Sequence, residues 1–300
     1  MNSMNIKKAL NNERIMKAVI GMGKKEFNKL LMVFGPIVSR VKYKRNRKRK
    51  AGAGRKHTLR TPEEKLFYML FYMKCYPTFD VAAFFYGVDK SQCKRWVDEL
   101  RVALEKALGK EMVLPERRIG SVKEFIERFP EVNELLIDGT ERPIQRPQEE
   151  NRQRACYSGK KKRHTEKNII ATNCQKEVLF LSSTCGGKEH DLTVLKKSHL
   201  LEHIPGFIKI YADLGFKGLE KKDGVKVYIP YRKGRGKELT EAQKTFNRDL
   251  KKYRVTVENS ISGIKRLRCI TDVSRIRKEE IRDHLMWLSC GLWNFHLKAC

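Results

Sequence analysis

The sequence predicts an all-α N-terminal part followed by an α/β part, and three observations predict it. Apolar residues recur at helical spacing up to about residue 112, five short apolar runs follow from residue 134, and helical stretches separate the later runs. A chain of 300 residues fits one large domain or two modest ones. With 40% apolar and 9% aromatic residues it is too rich in core-forming side chains to be disordered throughout. Its charge is far from balanced: 65 Lys and Arg face 35 Asp and Glu, a formal charge of +30. Such an excess goes to nucleic acid, an anionic membrane or an acidic partner, and its placement along the chain decides which.

From Asn5 to Val33, Ile15, Val19, Phe27, Leu30 and Leu31 are spaced helically, and Gly21 and Gly23 break the pattern into a small helical hairpin. From Arg40 to Arg60 there are eleven Lys and Arg, no acid, and an Ala-Gly-Ala-Gly spacer at 51–54. Such a block repels itself and predicts a mobile linker until it meets an anion. Thr61-Pro62-Glu63-Glu64 then starts a helix, with Thr at the cap, Pro at the first helical position and Glu placed to close a capping box. Leu66, Met69, Leu70 and Met73 form its core stripe. A second helix covers Thr78 to Phe85, Gly87 supplies the turn, and a third helix starts near Asp89 and runs to about Leu108 with Trp96, Val97, Leu100, Leu104 and Ala107 inward.

After Pro115 a short capped helix spans Ser121 to Phe129, and five strands follow at Glu134 to Ile137, Asn168 to Thr172, Val178 to Ser182, Phe207 to Ala212 and Val225 to Ile229. Helices follow the third strand, from Asp191 to His203, and the fifth, from Thr240 onward with Gln243 completing its cap. The segment from Arg152 to Arg163 is expected to be a loop. The last helix, Glu279 to His296, turns Ile281, Leu285, Leu288, Leu292 and Phe295 to one face and is expected to close the core. The organisation is then a helical segment over residues 1–36, a basic linker over 37–60, a helix-turn-helix over 61–112, a connector over 113–133 and an α/β domain over 134–300.

A membrane-spanning chain is excluded, since the longest apolar run is the eight residues from Leu66 to Met73, against roughly 18 needed. Lys7 and Lys8 precede no signal-peptide apolar region, so a cytoplasmic protein is expected. The eight cysteines contain no C-x-x-C pair, which predicts reduced, mostly buried thiols rather than a zinc site or a disulfide framework.

Three constellations carry chemistry. The helix-turn-helix over Phe79 to Leu104 exposes Gln92, Lys94 and Arg95 at the start of its second helix, where base edges are met; the plain alternative is a three-helix bundle with a solvated face. Beside the basic block, DNA is favoured, because phosphate neutralisation supplies most non-specific affinity. Asp138 closes the run Leu135-Leu136-Ile137, and Asp213 closes the run ending at Ala212. Either alone reads equally as a turn-former or cap. Within the helix around Tyr253 to Leu267, Arg254, Glu258 and Lys265 share one polar stripe, which on its own is a surface helix carrying an i, i+4 ion pair.

Together the segments Leu136-Ile137-Asp138-Gly139-Thr140-Glu141-Arg142-Pro143, Tyr157-Ser158-Gly159-Lys160-Lys161-Lys162-Arg163-His164-Thr165, Glu189-His190-Asp191, Tyr211-Ala212-Asp213-Leu214-Gly215-Phe216 and Arg254-x3-Glu258-x6-Lys265 resemble the DDE-superfamily transposases of bacterial insertion sequences, insertion-sequence family five in particular. The resemblance covers the chain from about Leu59 onward. It implies an RNase H-like core, a mixed five-stranded sheet with flanking helices, in which Asp138, Asp213 and Glu258 hold two Mg²⁺ or Mn²⁺ ions. It further implies binding of terminal inverted repeats, cleavage at the element's end, attack of the freed 3′-OH on target DNA, and a homodimer in the DNA complex of a bacterial, nucleoid-associated protein. Arg254 and Lys265 are expected on phosphates flanking the scissile bond. Tyr157, Lys160, Lys161, Lys162 and Arg163 are expected on DNA, with Tyr157 either stacking on an unpaired base or merely solvated. His190 and Asp191 are expected beside the metals; without the resemblance Asp191 reads as a cap. In the family the last motif often has Tyr three residues before the Arg, whereas here that place is Lys251 and a Tyr stands at 253. The rivals are a recruited or inactive DNA-binding regulator and a nuclease of the same fold without strand transfer.

Overall fold

The computed structural model describes residues 6–40, 58–219, 224–234, 236 and 238–299, so most of the expected basic linker lies outside the described residues. The chain divides into two compact units, one of Met1–Leu114 with Arg266–Cys269 and Phe295–Cys300, the other of Pro115–Lys265 with Ile270–Asn294.

The first unit is helical, with α1 (Ile6–Leu10), α2 (Glu13–Ile20), α3 (Lys24–Arg40), α4 (Pro62–Cys75), α5 (Phe79–Tyr86) and α6 (Lys90–Lys110). The expected hairpin is thus three helices. Asn12 caps α2 by accepting from the Ile15 amide, and Gly21 ends it at φ +79°, where a side chain would be strained. The capping box on α4 is closed: Thr61 Oγ1 accepts the Glu64 amide and Glu64 Oε2 the Thr61 amide, each at 3.1 Å. The core stripe of α4 is too narrow a reading. Every residue from Leu66 to Met73 is buried, because α2, α3 and α6 all pack on this helix. Tyr68 donates to the Cys93 carbonyl at 3.0 Å and meets Tyr86 and Trp96 edge-on, 5.1 Å between centroids, which ties α4, α5 and α6 together.

The second unit holds α7 (Val122–Arg128), β1 (Glu134–Pro143), α8 (Glu150–Cys156), β2 (Tyr157–Ser158), β3 (Arg163–Thr172), β4 (Val178–Leu181), β5 (Cys185–Gly186), α9 (Asp191–Lys197), β6 (Lys209–Ala212), β7 (Lys226–Tyr228) and α10 (Glu241–Lys265); α11 (Arg268–Thr271) and α12 (Glu279–Ala299) follow. All five expected strands are present. Two further strands, β2 and β5, are two residues each and too short to leave a periodicity. The sheet runs β2-β3-β1-β6-β7, with β4 and β5 also paired to β3. β3 is antiparallel to β1, β4 and β5, whereas β1, β6 and β7 run parallel, which makes the mixed sheet with flanking helices that was expected.

Alternation on the strands builds two cores. Leu135, Ile137, Ile210 and Ala212 meet Phe125 of α7 and Val194 and Leu195 of α9, while Leu136 and Tyr211 meet Leu250 and Val257 of α10.

One expectation needs correction. The basic segment from Arg152 to Arg163 is not a loop: it finishes α8 and then pairs β2 with the start of β3. No side chain caps α8, so its start carries no sequence signal. As expected, a helix follows the fifth strand: α10 is one helix of 25 residues from the Thr240–Gln243 capping box to Lys265. Gly263 within it is there for packing: a Cβ would lie 2.2 Å from the Trp293 ring. The closing helix behaves as expected, with Leu285, Leu288 and Leu292 buried. Among the described residues no helix is long and apolar enough to cross a membrane.

Candidate active site and nucleic-acid interface

The register of two parallel strands assembles the site. β1 and β6 pair with Ile137 opposite Ala212, so the next residues, Asp138 and Asp213, stand side by side where the buried stretch of β6 ends. Adjacent strands lie about 4.8 Å apart. Both acids are two residues beyond side chains that face α10, Leu136 and Tyr211, and so fall on the α10 side of the sheet. The Asp138 carboxyl is pushed up to about 6, first by burial and next by the charge of Asp213, against the Gly139 amide that it accepts at 2.7 Å. Asp213 accepts the Gly215 amide at 2.8 Å and caps a 3₁₀ turn over Leu214–Phe216. The capping role considered for Asp213 is therefore real and coexists with its place beside Asp138.

Asp191 reaches in at the start of α9. A Cβ on Gly139 would fall 2.7 Å from Asp191 Oδ1, and one on Gly215 would fall 3.2 Å from Asp191 Oδ2. Only glycine leaves room for this third carboxylate beside Gly139 and Gly215, which gives the Asp138-Gly139 and Asp213-Leu214-Gly215 sequences a steric reason. Asp191 pairs with Lys167 Nζ at 2.8 Å, and the same nitrogen lies 3.6 Å from Glu141 and donates to the Glu189 carbonyl at 2.7 Å. Burial opposes the charge on Lys167, but the hydrogen bond and charge of Asp191 overcome it, and the ammonium is held above its ordinary range. Sequence reasoning misses both Lys167 and Glu141 as parts of the site. Their signal is a pair of charged residues facing each other across two strands that are otherwise buried. His190 occupies the cap position of α9 without a capping side-chain bond.

On α10 the stripe reading holds, with Val257 and Ile264 buried and Arg254, Glu258 and Lys265 more open. Arg254 Nη2 lies 3.5 Å from Glu258 Oε1. Burial, and then Lys161, lower the Lys265 ammonium, against the pull of Asp138 and Glu141. Tyr253 stacks on Tyr211 at 4.1 Å, so it docks the helix on the sheet.

Beside Asp213 opens a cavity of about 970 Å³ whose walls include Asp191, Asp213, Gly215, Lys167 and Tyr157 but neither Asp138 nor Glu258. At its rim the β2–β3 turn carries Lys160, Lys161, Lys162 and Arg163, all exposed. In the first unit, Gly87 turns the chain at φ +62° between α5 and α6, and Asp89 caps α6 through the Ser91 amide at 2.8 Å. Lys94 and Arg95 are exposed and Gln92 half-buried; Lys94 pairs with Asp98 at 2.7 Å and Arg95 with the Ser91 carbonyl at 3.3 Å.

The donor set suits a hard cation. Carboxylate oxygens are what Mg²⁺ and Mn²⁺ prefer, and a buried aspartate destabilised by a second aspartate is relieved by a divalent ion between them. The structure brings Asp138 and Asp213 together but leaves Glu258 with Arg254. Among the described residues no group of three or more His, Cys, Asp and Glu stands ready to hold an ion as the side chains lie.

Comparison with known proteins gives the family. Residues 137–294 match a family model described as DDE superfamily endonuclease, and residues 57–110 match one described as helix-turn-helix of DDE superfamily endonuclease. The chain is 26% identical over 286 residues to a protein of Microchaete diplosiphon named "Probable transposase for insertion sequence element IS702", covering 95% of each. No solved structure matches it.

Proposed function

From the chain's membership of the DDE-superfamily transposase endonucleases, we propose that it binds the terminal inverted repeats of an insertion sequence, cuts the element's end and joins the freed 3′-OH to target DNA. Asp138, Asp213 and Glu258 are the acids of this reading, with Glu258 leaving Arg254 to join the two aspartates. When bound, a pair of Mg²⁺ or Mn²⁺ ions would stabilise the attacking and leaving oxygens of an in-line phosphoryl displacement. The protein's own part is positional. The paired strands β1 and β6 fix Asp138 and Asp213 against one another, Arg254 freed from Glu258 turns to a phosphate beside the scissile bond, and Lys265 holds another. Joining is a transesterification in the same site and needs no nucleoside triphosphate. Gln92, Lys94 and Arg95 lie on the helix that reads the repeat. Exposed surface pairs such as Lys94–Asp98 are worth at most about 1 kcal/mol and yield readily to a phosphate. Synapsis of two ends calls for two copies of the chain.

The observation that carries this reading is the in-register pairing of Ile137 with Ala212, after which two acids follow side by side where the parallel β1–β6 pairing stops. The test is Mg²⁺-dependent cleavage of a duplex carrying the element's end, with a pre-cut 3′-OH end as the substrate for joining. Asp213→Asn is expected to bind the duplex as wild type does and to lose cleavage and joining by at least about a thousandfold, the order of a lost charge-stabilising group in a dry site. Cleavage unchanged by the substitution removes Asp213 from the reaction; cleavage without joining makes the protein a nuclease of this fold.

A further inference from the structure

On β1 a buried hydroxyl without a partner stands next to the acids. Thr140 is 1% exposed, and its Oγ1 makes no hydrogen bond to any described residue. A β-branched side chain suits a strand, which explains the methyl of Thr140 but not its hydroxyl: unpaired in a buried place, that group is worse for folding than the methyl of valine. Alternation puts Thr140 on the same face as Asp138, two residues further along, so the two side chains start about 6.6 Å apart at about 3.3 Å per residue. Across the ladder stands Asn168, which turns its amide to the Ser182 carbonyl at 2.9 Å and the Thr184 hydroxyl at 3.0 Å and so does not serve Thr140. Asp138 is short of partners as well. Among the described residues its carboxyl has one hydrogen bond, Oδ1 accepting the Gly139 amide at 2.7 Å, and Oδ2 is left over. A spare donor and a spare acceptor at this separation are bridged by one water, at about 2.8 Å to each. A second buried hydroxyl without a partner, on Thr172, lies opposite Leu136 at the apolar end of the same face.

We propose that Thr140 is a positioning residue for Asp138: its hydroxyl donates to a water that donates in turn to the spare Asp138 oxygen, so that the carboxylate keeps one orientation toward a divalent ion shared with Asp213. The inference rests on the function proposed above and adds to it an uncharged residue that touches neither DNA nor ion. Carboxylates that ligate ions are held by such outer hydrogen bonds, and losing one typically weakens metal binding about ten- to hundredfold.

The test titrates the full chain, free of DNA, with Mn²⁺ and reads the unbound ion by paramagnetic resonance. Thr140→Val and Thr140→Ala, which lack the hydroxyl, are expected to bind Mn²⁺ about tenfold more weakly than wild type, and Thr140→Ser, which keeps it, to bind as wild type does. The alanine and serine variants lose the same methyl, so packing alone cannot separate them. Thr172→Val removes the other unpaired hydroxyl and is expected to leave the affinity unchanged. Equal affinities of the alanine and serine variants, or a loss in Thr172→Val as large as in Thr140→Val, overturn the proposal and leave the function proposed above standing. Mn²⁺ binding that Asp213→Asn does not weaken takes the ion away from the two aspartates and overturns both.

Discussion

Asp138 stands in β1 just past its parallel pairing with β6, after three buried residues, and its carboxyl is pushed up to about 6 from the 3.8 of an open chain, through burial first and Asp213 second. A carboxyl raised on folding binds its proton more tightly in the folded state. Its favourable contribution is therefore complete below about pH 4 and is lost as pH rises through about 6. By pH 8 the ionised group costs on the order of 2–3 kcal/mol, at 1.36 kcal/mol per unit. Without divalent ions, Asp138→Asn is expected to resist urea better than wild type at pH 8 and no better at pH 4, while cleaving no DNA. A wild type equally stable relative to the variant at both pH values means that folding does not raise the Asp138 carboxyl. At this scale the sequence is most legible where an acid terminates an apolar run, as at Asp138 and Asp213. It is least legible at Lys167 and Glu141, because alternation along a strand reads a charged residue as solvent-facing. Here both sides of the sheet are covered, and the two charges are buried against one another and Asp191. Arg142 misleads in the same way. It sits within the Asp138 motif, but it is buried and donates to the Arg282 carbonyl and Thr184 hydroxyl, so it anchors α12 and takes no part among the acids.

Among elements, α10 shows what a helical pattern does and does not tell. The 100° repeat by itself separates Val257 and Ile264 from Arg254, Glu258 and Lys265, because a helix lying on a sheet must bury one stripe. What the repeat cannot give is the role of Tyr253, which depends on the sheet beneath. The ring stacks on Tyr211, itself stacked on Tyr228 and bonded through its hydroxyl to Glu134 at 3.0 Å, so the helix is seated on β6 by a column of three rings. Tyr253→Ala removes the outer ring and is expected to cost up to about 3 kcal/mol, below the usual range for a fully buried aromatic because Tyr253 is only half-buried. Chemical denaturation measures that loss. The discriminating readout is DNA affinity of the folded variant: a ring that seats α10 leaves it within about twofold of wild type, whereas a ring that touches DNA does not. α8 lies beyond reach for the opposite reason, since a seven-residue helix with no capping side chain leaves neither a start signal nor a full turn-by-turn stripe.

The whole molecule carries +30 formal charges, and only their arrangement makes that a statement about DNA. Counterions condensed on the duplex are released as each phosphate is neutralised, so the slope of log affinity against log salt counts phosphate contacts at about 0.9 each. Spread evenly, 65 cations would act as a diffuse field, and removing three would barely change the slope. The β2–β3 turn is different, because Lys160, Lys161 and Lys162 stand exposed together at the rim of the cavity that holds Asp213. If the scissile strand lies there, these side chains meet its phosphates directly. Replacing all three by Ala is then expected to lower the magnitude of the slope by about 2 to 3 on a duplex carrying the element's end. Replacing Lys244, Lys251 and Lys252, cations of similar exposure in the first half of α10, removes the same formal charge and is the control for the diffuse field. Anisotropy titrations across a range of salt give both slopes. Equal drops in the two variants would mean that the chain clings to DNA by net charge alone, and a drop confined to the turn fixes the path of the cut strand past Asp138 and Asp213.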